Sequence, residues 1–350
     1  MPNWVQNNLK FTASDEEIQN ILEAIKDDEE GIGSIDFNKI TPMPESLKIE
    51  CGSNTDKGLR MVKEFVESLP EDIANQEGFY DELIEYLHDR GKDLPEEDRK
   101  IWELGVTAVD NINRYDAPTW YEWANKNWGT KWNACHCSYN NEDKTLYFQT
   151  AWQPSFPVIL KLSAAAPGVQ MNLEFADEDI GHNCGRVVFK NGDIKEVYKP
   201  EEGRAAFEFS ADVWDYDLSN MSLHLNIPGT KYVYTGTEDY ELIELFGKPA
   251  LFTNERLTPE DVPRGLNLYH LRRSDDDDKF AAIEPEVGVN YGGSVLTDEK
   301  LDFGENGYIE FKDETEPNFT GQEISIDDYV TDHFSLDESE EQSGGMNLCQ

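Results

Sequence analysis

Apolar and polar positions along the chain change period several times, and each change predicts a different element. Leu9 and Phe11 alternate with Asn8, Lys10 and Thr12, so the chain opens on a half-buried strand. Ser14-Asp15-Glu16-Glu17 forms a capping box ahead of Ile18, Ile21, Leu22 and Ile25 at helical spacing. Ile35 and Phe37 then predict a second strand that ends at the turn Pro42-Met43-Pro44, giving a β-α-β opening. Over residues 56–116 the period lengthens to that of a helix. Leu59, Val62, Phe65, Val66 and Leu69 mark one helix (59–69). Phe79, Leu83, Ile84 and Leu87 mark a second (79–88). Trp102, Val106, Val109 and Ile112 mark a third (97–113). Acidic residues fill the positions between, so each inserted helix has one apolar and one anionic face.

A second run of elements follows. Trp120 to Asn127 reads as a short helix stopped by Gly129. Trp132–Tyr139 and Thr145–Trp152 flank Asn140-Asn141-Glu142-Asp143 as a hairpin. Pro154 and Pro157 lie in the first turn of a helix carrying Phe156, Ile159 and Leu160, which stops near Pro167-Gly168. Met171, Leu173 and Phe175 alternate along a strand. Asn191-Gly192 predicts a type I′ turn between Arg186–Lys190 and Ile194–Lys199, and Ala205 to Trp214 closes the region as a helix. These elements imply an α+β fold, an antiparallel sheet covered by helices on one face. Residues 1–218 form that domain, with the helical insertion at 56–116, and 219–248 form a connector. A smaller β-rich domain spans 249–336, with strands at Phe280–Ile283, Val287–Tyr291, Ser294–Thr297 and Tyr308–Phe311 and a terminal helix capped by Ser325. The acidic tail 337–350 is expected to be disordered.

Charge narrows the range of partners. The chain carries 72 Asp and Glu against 30 Lys and Arg, a net charge of −42. Residues 1–200 hold 37 acidic and 20 basic side chains, net −17, and residues 201–350 hold 35 and 10, net −25. Direct nucleic-acid binding needs a basic footprint, and an anionic membrane would repel this chain, so neither is expected. Hydrophobic residues at 38% and aromatics at 11% suffice for folded cores, which excludes the aromatic-poor acidic composition of a disordered chain. No apolar run approaches the roughly 20 residues of a membrane span. Five scattered cysteines make no disulfide framework. With no apolar signal core at Met1-Pro2-Asn3-Trp4, a cytoplasmic location is expected, and the sequon at Asn318 is read as a chance match.

The candidate chemistry is sparse. Cys135-His136-Cys137 with His182 and Cys184 could supply a Cys3His zinc site, but Cys-x-Cys is not the usual ligand spacing and cysteines are ordinary buried residues, so no metal is expected. Five of the eight Trp fall between 120 and 152; they read as a core cluster joining helix to hairpin rather than as a stacking platform. Asp275 to Asp278 lack the alternating oxygen ligands and fixed Gly of a calcium loop and read as a solvated loop. No phosphate-binding loop, nucleophile elbow or dinucleotide fingerprint occurs, so no cofactor and no enzymatic activity is expected.

Several stretches are specific enough to carry a family resemblance. Trp120 to Trp132, together with Met1-Pro2-Asn3-Trp4, Phe37 to Pro44, Thr150-Ala151-Trp152 and Ala176 to Gly181, resemble the YubB-type ferredoxin-like family of phages and plasmids, over about residues 1–218. Pro249 to Asn254, Leu268 to Arg272, Ile283-Glu284-Pro285 and Val289 to Val295 resemble a large polyvalent protein-associated domain, over about 249–335. The first implies a ferredoxin-like core, the second a mobile-element setting; neither implies catalytic residues. With the charge, they imply a non-enzymatic anti-defence protein, an acidic inhibitor and nucleic-acid mimic that binds a basic host defence protein such as a CRISPR effector or restriction enzyme. Glu82, Glu85 and Asp89, with Glu71 and Asp72 at a helix end, are the candidate partner-binding residues. The alternatives are an accessory or scaffold protein for element replication or transfer, and a metal-dependent nuclease or hydrolase.

Overall fold

The computed structural model describes residues 2–69, 80–274, 280–288, 290–312 and 315–333. The chain splits into two compact units, the first ending at Pro200.

The first unit is built on β1 (Trp4–Thr12), α1 (Asp15–Ile25), α2 (Phe37–Ile40), α3 (Ser53–Glu67), α4 (Tyr80–Gly91), α5 (Glu96–Tyr115), α6 (Trp120–Asn127), β2 (Cys135–Asn140), β3 (Thr145–Ala151), α7 (Phe156–Ala165), β4 (Gln170–Asp177), β5 (Gly185–Lys190) and β6 (Asp193–Tyr198). Its sheet runs β2-β3-β1-β4-β5-β6, every pair antiparallel. Taken in chain order, β1, α1, β2, β3, α7 and β4 are the βαββαβ succession of a ferredoxin-like domain, with the β5–β6 hairpin added at one edge. Alternation along β1 sorts its side chains. Val5, Asn7, Leu9 and Phe11 are buried, while Gln6, Asn8 and Lys10 occupy the opposite face. The buried set packs with Ile18, Leu22 and Ile25 of α1, Trp123 of α6, and Val158, Ile159 and Leu162 of α7. The helices therefore cover one face of the sheet, and the other presents polar side chains.

The capping box forms as the sequence dictates. The Glu17 amide donates to Ser14 Oγ at 3.3 Å, and the Ser14 amide donates back to the Glu17 carboxylate at 3.0 Å. The strand expected at Ile35 and Phe37 does not. Asp36 accepts from the Asn38 amide at 2.9 Å and caps the single turn of α2, so Ile35 and Phe37 are two buried flanks of a helix start. The second ferredoxin-like strand is β2, reached only after the whole helical insertion. In that insertion Val62, Leu83, Ile84, Leu87, Trp102 and Val106 form a separate small core. The helices α3 and α5 cross at Gly58 and Gly105, where a Cβ on either glycine would meet the other helix's backbone at 2.0–2.2 Å.

The second unit holds α8 (Arg204–Trp214), the hairpin β7 (Leu223–Leu225) and β8 (Tyr232–Tyr234), and a seven-stranded antiparallel sheet. The sheet strands are β9 (Tyr240–Leu245), β10 (Lys248–Thr253), β11 (Asn267–Arg273), β12 (Phe280–Glu284), β13 (Tyr291–Thr297), β14 (Ile309–Glu310) and β15 (Asn318–Ile324), in the order β14-β12-β11-β13-β10-β9-β15. The segment 219–248 thus contains β7, β8 and β9 and the first residue of β10, the last two strands being integral to this sheet. Of the strand expected at Val287–Tyr291, Tyr291 opens β13, Val287 follows a bend at Pro285 and Glu286 and is not in a strand, and Val289 lies outside the described residues. Ser325 caps α9 (Ile326–His333), its Oγ accepting from the Asp328 amide at 3.0 Å. The acidic run Asp275–Asp278 and the tail 337–350 lie outside the described residues. Among the described residues no helix is long and apolar enough to cross a membrane.

Candidate functional site

The anionic face expected on the inserted helices is clearest on α4. Leu83, Ile84 and Leu87 are buried there, and Trp102 Nε1 donates to the Leu87 carbonyl at 2.8 Å, fixing α4 against α5. That orientation turns Glu82, Glu85 and Asp89, spaced at i, i+3 and i+7, into one exposed stripe. Asp89 pairs with Lys92 at 2.7 Å, and this ammonium holds its carboxyl below the usual Asp range. Glu82 and Glu85 have no cation within 4 Å among the described residues. Glu71 and Asp72 lie outside the described residues.

The tryptophans divide into two groups. Trp123 and Trp128 are core residues, their rings 5.6 Å apart and edge to face, and Trp128 Nε1 donates to the Thr41 carbonyl at 2.9 Å. Trp132 and Trp152 are not: they are 38% and 43% exposed. Trp132 leans on Trp4, ring centroids 6.2 Å apart. Lys131 Nζ lies 4.5 Å from the Trp132 centroid, 5.0 Å from that of Trp152 and 5.8 Å from that of Tyr121. In a chain this acidic the ammonium has no carboxylate within 4 Å among the described residues and rests on aromatic faces instead. The core reading of the cluster is therefore half right. Gly129 ends α6, and residues 130–134 form a loop, so Trp132 precedes the hairpin rather than joining it.

Register explains why these residues meet. Trp4 lies opposite Ala151, Val5 opposite Asp177, and Cys135 opposite Gln149. The start of β1, the ends of β3 and β4 and the start of β2 thus share one end of the sheet. Backbone strain gathers there too. Trp152 has φ 66°, Asn183 φ 39° and His136 φ 50°, left-handed values uncommon for side chains other than Gly. The Trp152 amide donates to the Asn3 carbonyl at 2.9 Å, and Asn183 Nδ2 donates to the Trp152 carbonyl at 3.2 Å, which holds the turn. The His136 ring lies 6.1 Å from Trp4, edge to face, and its Nδ1 is 2.8 Å from Gln149 Oε1.

The cysteines do not assemble a ligand set. Cys135 and Cys137 are half-buried on β2, Cys184 is buried and His182 exposed; among the described residues no three His, Cys, Asp or Glu side chains converge to hold an ion. Burial pushes the Cys137 thiol up to about 11 and raises that of Cys135, so both stay protonated near neutrality. In the second unit an open cleft of about 370 Å³ is rimmed by Glu238, Asp239, Glu241 and Glu323. These carboxylates likewise do not converge as metal ligands.

Residues 128–217 match the family described as the ferredoxin-like domain in Api92-like protein. Residues 236–331 match large polyvalent protein associated domain 28. The first match takes in Trp132, Trp152 and the strands between them; the second takes in the seven-stranded sheet and most of α9. No curated protein matches the chain significantly. Among solved structures, the chain is similar to protein api92 from Yersinia pseudotuberculosis, at 12% identity over 58% of this chain and 99% of that one. The TM-score of 0.29 is too low to carry a structural argument.

Proposed function

We propose that this chain is a non-enzymatic anti-defence protein of a phage or plasmid, of the YubB type. It binds a basic host defence protein, a CRISPR effector or restriction enzyme, where that protein would hold nucleic acid. The observation that carries the reading is the net charge of −42 combined with the exposed stripe Glu82, Glu85 and Asp89 on a helix fixed by its own small core. A basic channel attracts any polyanion, but carboxylates held on a rigid scaffold lose little entropy on docking, and complementary potentials speed encounter. The match of 236–331 to a polyvalent-protein-associated domain supports the mobile-element setting. It also favours a second reading, an accessory or scaffold role in element replication or transfer. The test is association with a candidate effector, followed by inhibition of its nuclease activity. Glu82→Lys, Glu85→Lys and Asp89→Lys together should slow association several-fold and flatten its salt dependence. Binding indifferent to both the reversal and the ionic strength rules the mechanism out, and binding to replication proteins without inhibition of any nuclease favours the scaffold role.

A further inference from the structure

The sheet-end platform is a surface that the acidic stripe does not use. Its two indoles remain 38% and 43% exposed. A left-handed turn is made cheaply by Gly, yet position 152 carries the bulkiest side chain, almost half of it in solvent. Trp132, Trp152 and Tyr121 already hold a cation, the ammonium of Lys131, and so show which charge their faces accept. The sheet end continues into two exposed carboxylates. The Glu178 amide donates to the Trp4 carbonyl at 2.8 Å, extending the β1–β4 pairing, and Asp179 follows it. Neither has a cation within 4 Å among the described residues.

We propose that this platform is an anchor site for an arginine side chain of a basic protein partner. The guanidinium stacks on Trp132 and Trp152 in place of Lys131, and Glu178 or Asp179 accepts its hydrogen bonds. Arginine fits better than lysine because its planar group offers a face to the indoles and a fork of donors to a carboxylate. Lys131, on a flexible stem, is the resident competitor and swings into solvent as arginine enters. The inference rests on the partner being a basic protein, but it concerns a surface distinct from the α4 stripe.

The test uses the full chain and a short peptide with a single arginine between glycines, titrated by NMR at about 0.5 M salt, where the Debye length of roughly 4–5 Å suppresses diffuse attraction. The indole Nε1–H signals of Trp132 and Trp152 should shift. Trp132→Ala and Trp152→Ala should each weaken binding about tenfold, while the Glu82, Glu85 and Asp89 reversal leaves it unchanged. Lys131→Gln should tighten binding several-fold by removing the competitor. A lysine peptide should bind more weakly than the arginine peptide. If Lys131→Gln instead weakens binding, or if the platform shifts with oligothymidylate and not with the peptide, the site is an anion-stacking site and the proposal is overturned. Peptide binding lost in the stripe reversal but kept in Trp132→Ala also overturns it, while leaving the docking function intact.

Discussion

The crossing of α3 and α5 offers a sharp test of how the acidic surface is held. An alanine methyl at Gly105 would lie 2.2 Å from both the carbonyl carbon and oxygen of Gly58; one at Gly58 would lie 2.0 Å from the Ile101 oxygen and 2.8 Å from the Gly105 nitrogen. Non-bonded carbon contacts settle near 3.5–4.0 Å, so the helices must separate by roughly 1 Å or more. Both obstacles are backbone, and no rotamer change relieves them. A gap of about 0.5–1 Å forfeits a quarter to a half of each dispersion contact across the interface, where Val62, Trp102 and Val106 belong to one buried cluster. Overpacking of this kind costs about 1–3 kcal/mol, against about 1 kcal/mol gained from the helix propensity of alanine over glycine. The net loss for Gly105→Ala is therefore up to about 2 kcal/mol. For a unit of some 200 residues that lowers the midpoint of its thermal transition by up to about 8 °C. Calorimetry reads the midpoint, and hydrogen exchange over 80–91 and 96–115 reads the local loosening. Lys63→Ala, on the exposed side of α3, is the control and should be near neutral. A Gly105→Ala protein stabilised by the full propensity gain would refute the close crossing.

Other outcomes follow from charge and burial. Repulsion among 72 carboxylates should make moderate salt stabilising, so the melting temperature should rise from low salt to about 0.3 M; a steady fall contradicts net repulsion. His270 is buried, faces Ser294 on β13 and Glu284 on β12, and lies near Arg256 and Tyr291; burial, then the Arg256 charge, lowers its pKa. The unfolded chain takes up a proton near the ordinary value of 6.5 that the folded imidazole resists, so stability should fall as pH drops below 6.5. His270→Gln should flatten that limb in calorimetry between about pH 7 and 5, and an unchanged limb removes His270 as its cause. Protein purified without chelator should carry far less than one equivalent of zinc by metal analysis; stoichiometric zinc lost in Cys135→Ser would overturn the reading of the cysteines as protonated thiols.

Local signals were the legible ones. The capping box at Ser14, the Ser325 cap and the Asn191-Gly192 turn, with φ of 56° and 75°, each depend on a few neighbouring residues and formed as read. Periodicity located the inserted helices and put Glu82, Glu85 and Asp89 on an exposed face. Alternation misled at Ile35 and Phe37 because two buried side chains flanking a capped turn share the spacing of a strand. The strands β10, β11 and β15 carried too little pattern to be seen. Pro249 interrupts the first; β11 buries Tyr269, His270 and Leu271 in succession; and β15 is an edge strand bent at Gly321, with a mostly exposed sequence. The tryptophan platform was illegible for a different reason. Whether an indole packs or faces solvent at a strand end depends on which distant strand lies beside it, and nothing local records that Trp4 pairs with Ala151.

The two surfaces of the first unit make different kinetic demands, and that separates them. Surface carboxylates act at long range, so they raise the association rate and its salt dependence while adding little once a complex is formed. A charge of −42 would draw in many basic proteins and, by itself, choose among none. Selection needs a short-range contact with shape, and rigid aromatic anchors are the usual carriers of such energy. Trp132 and Trp152 meet that description: one leans on Trp4, and the other has its backbone held by the Asn3 carbonyl and the Asn183 side-chain amide. In a single complex, then, the Glu82, Glu85 and Asp89 reversal should lower the association rate and leave dissociation nearly unchanged. Trp132→Ala should accelerate dissociation by about tenfold with little effect on association. Surface plasmon resonance at two ionic strengths resolves both constants. If the reversal and the tryptophan variant change the same constant to the same degree, the division of labour is wrong. A common loss in association would place the platform among the steering charges, and a common loss in dissociation would place the α4 stripe inside the tight contact.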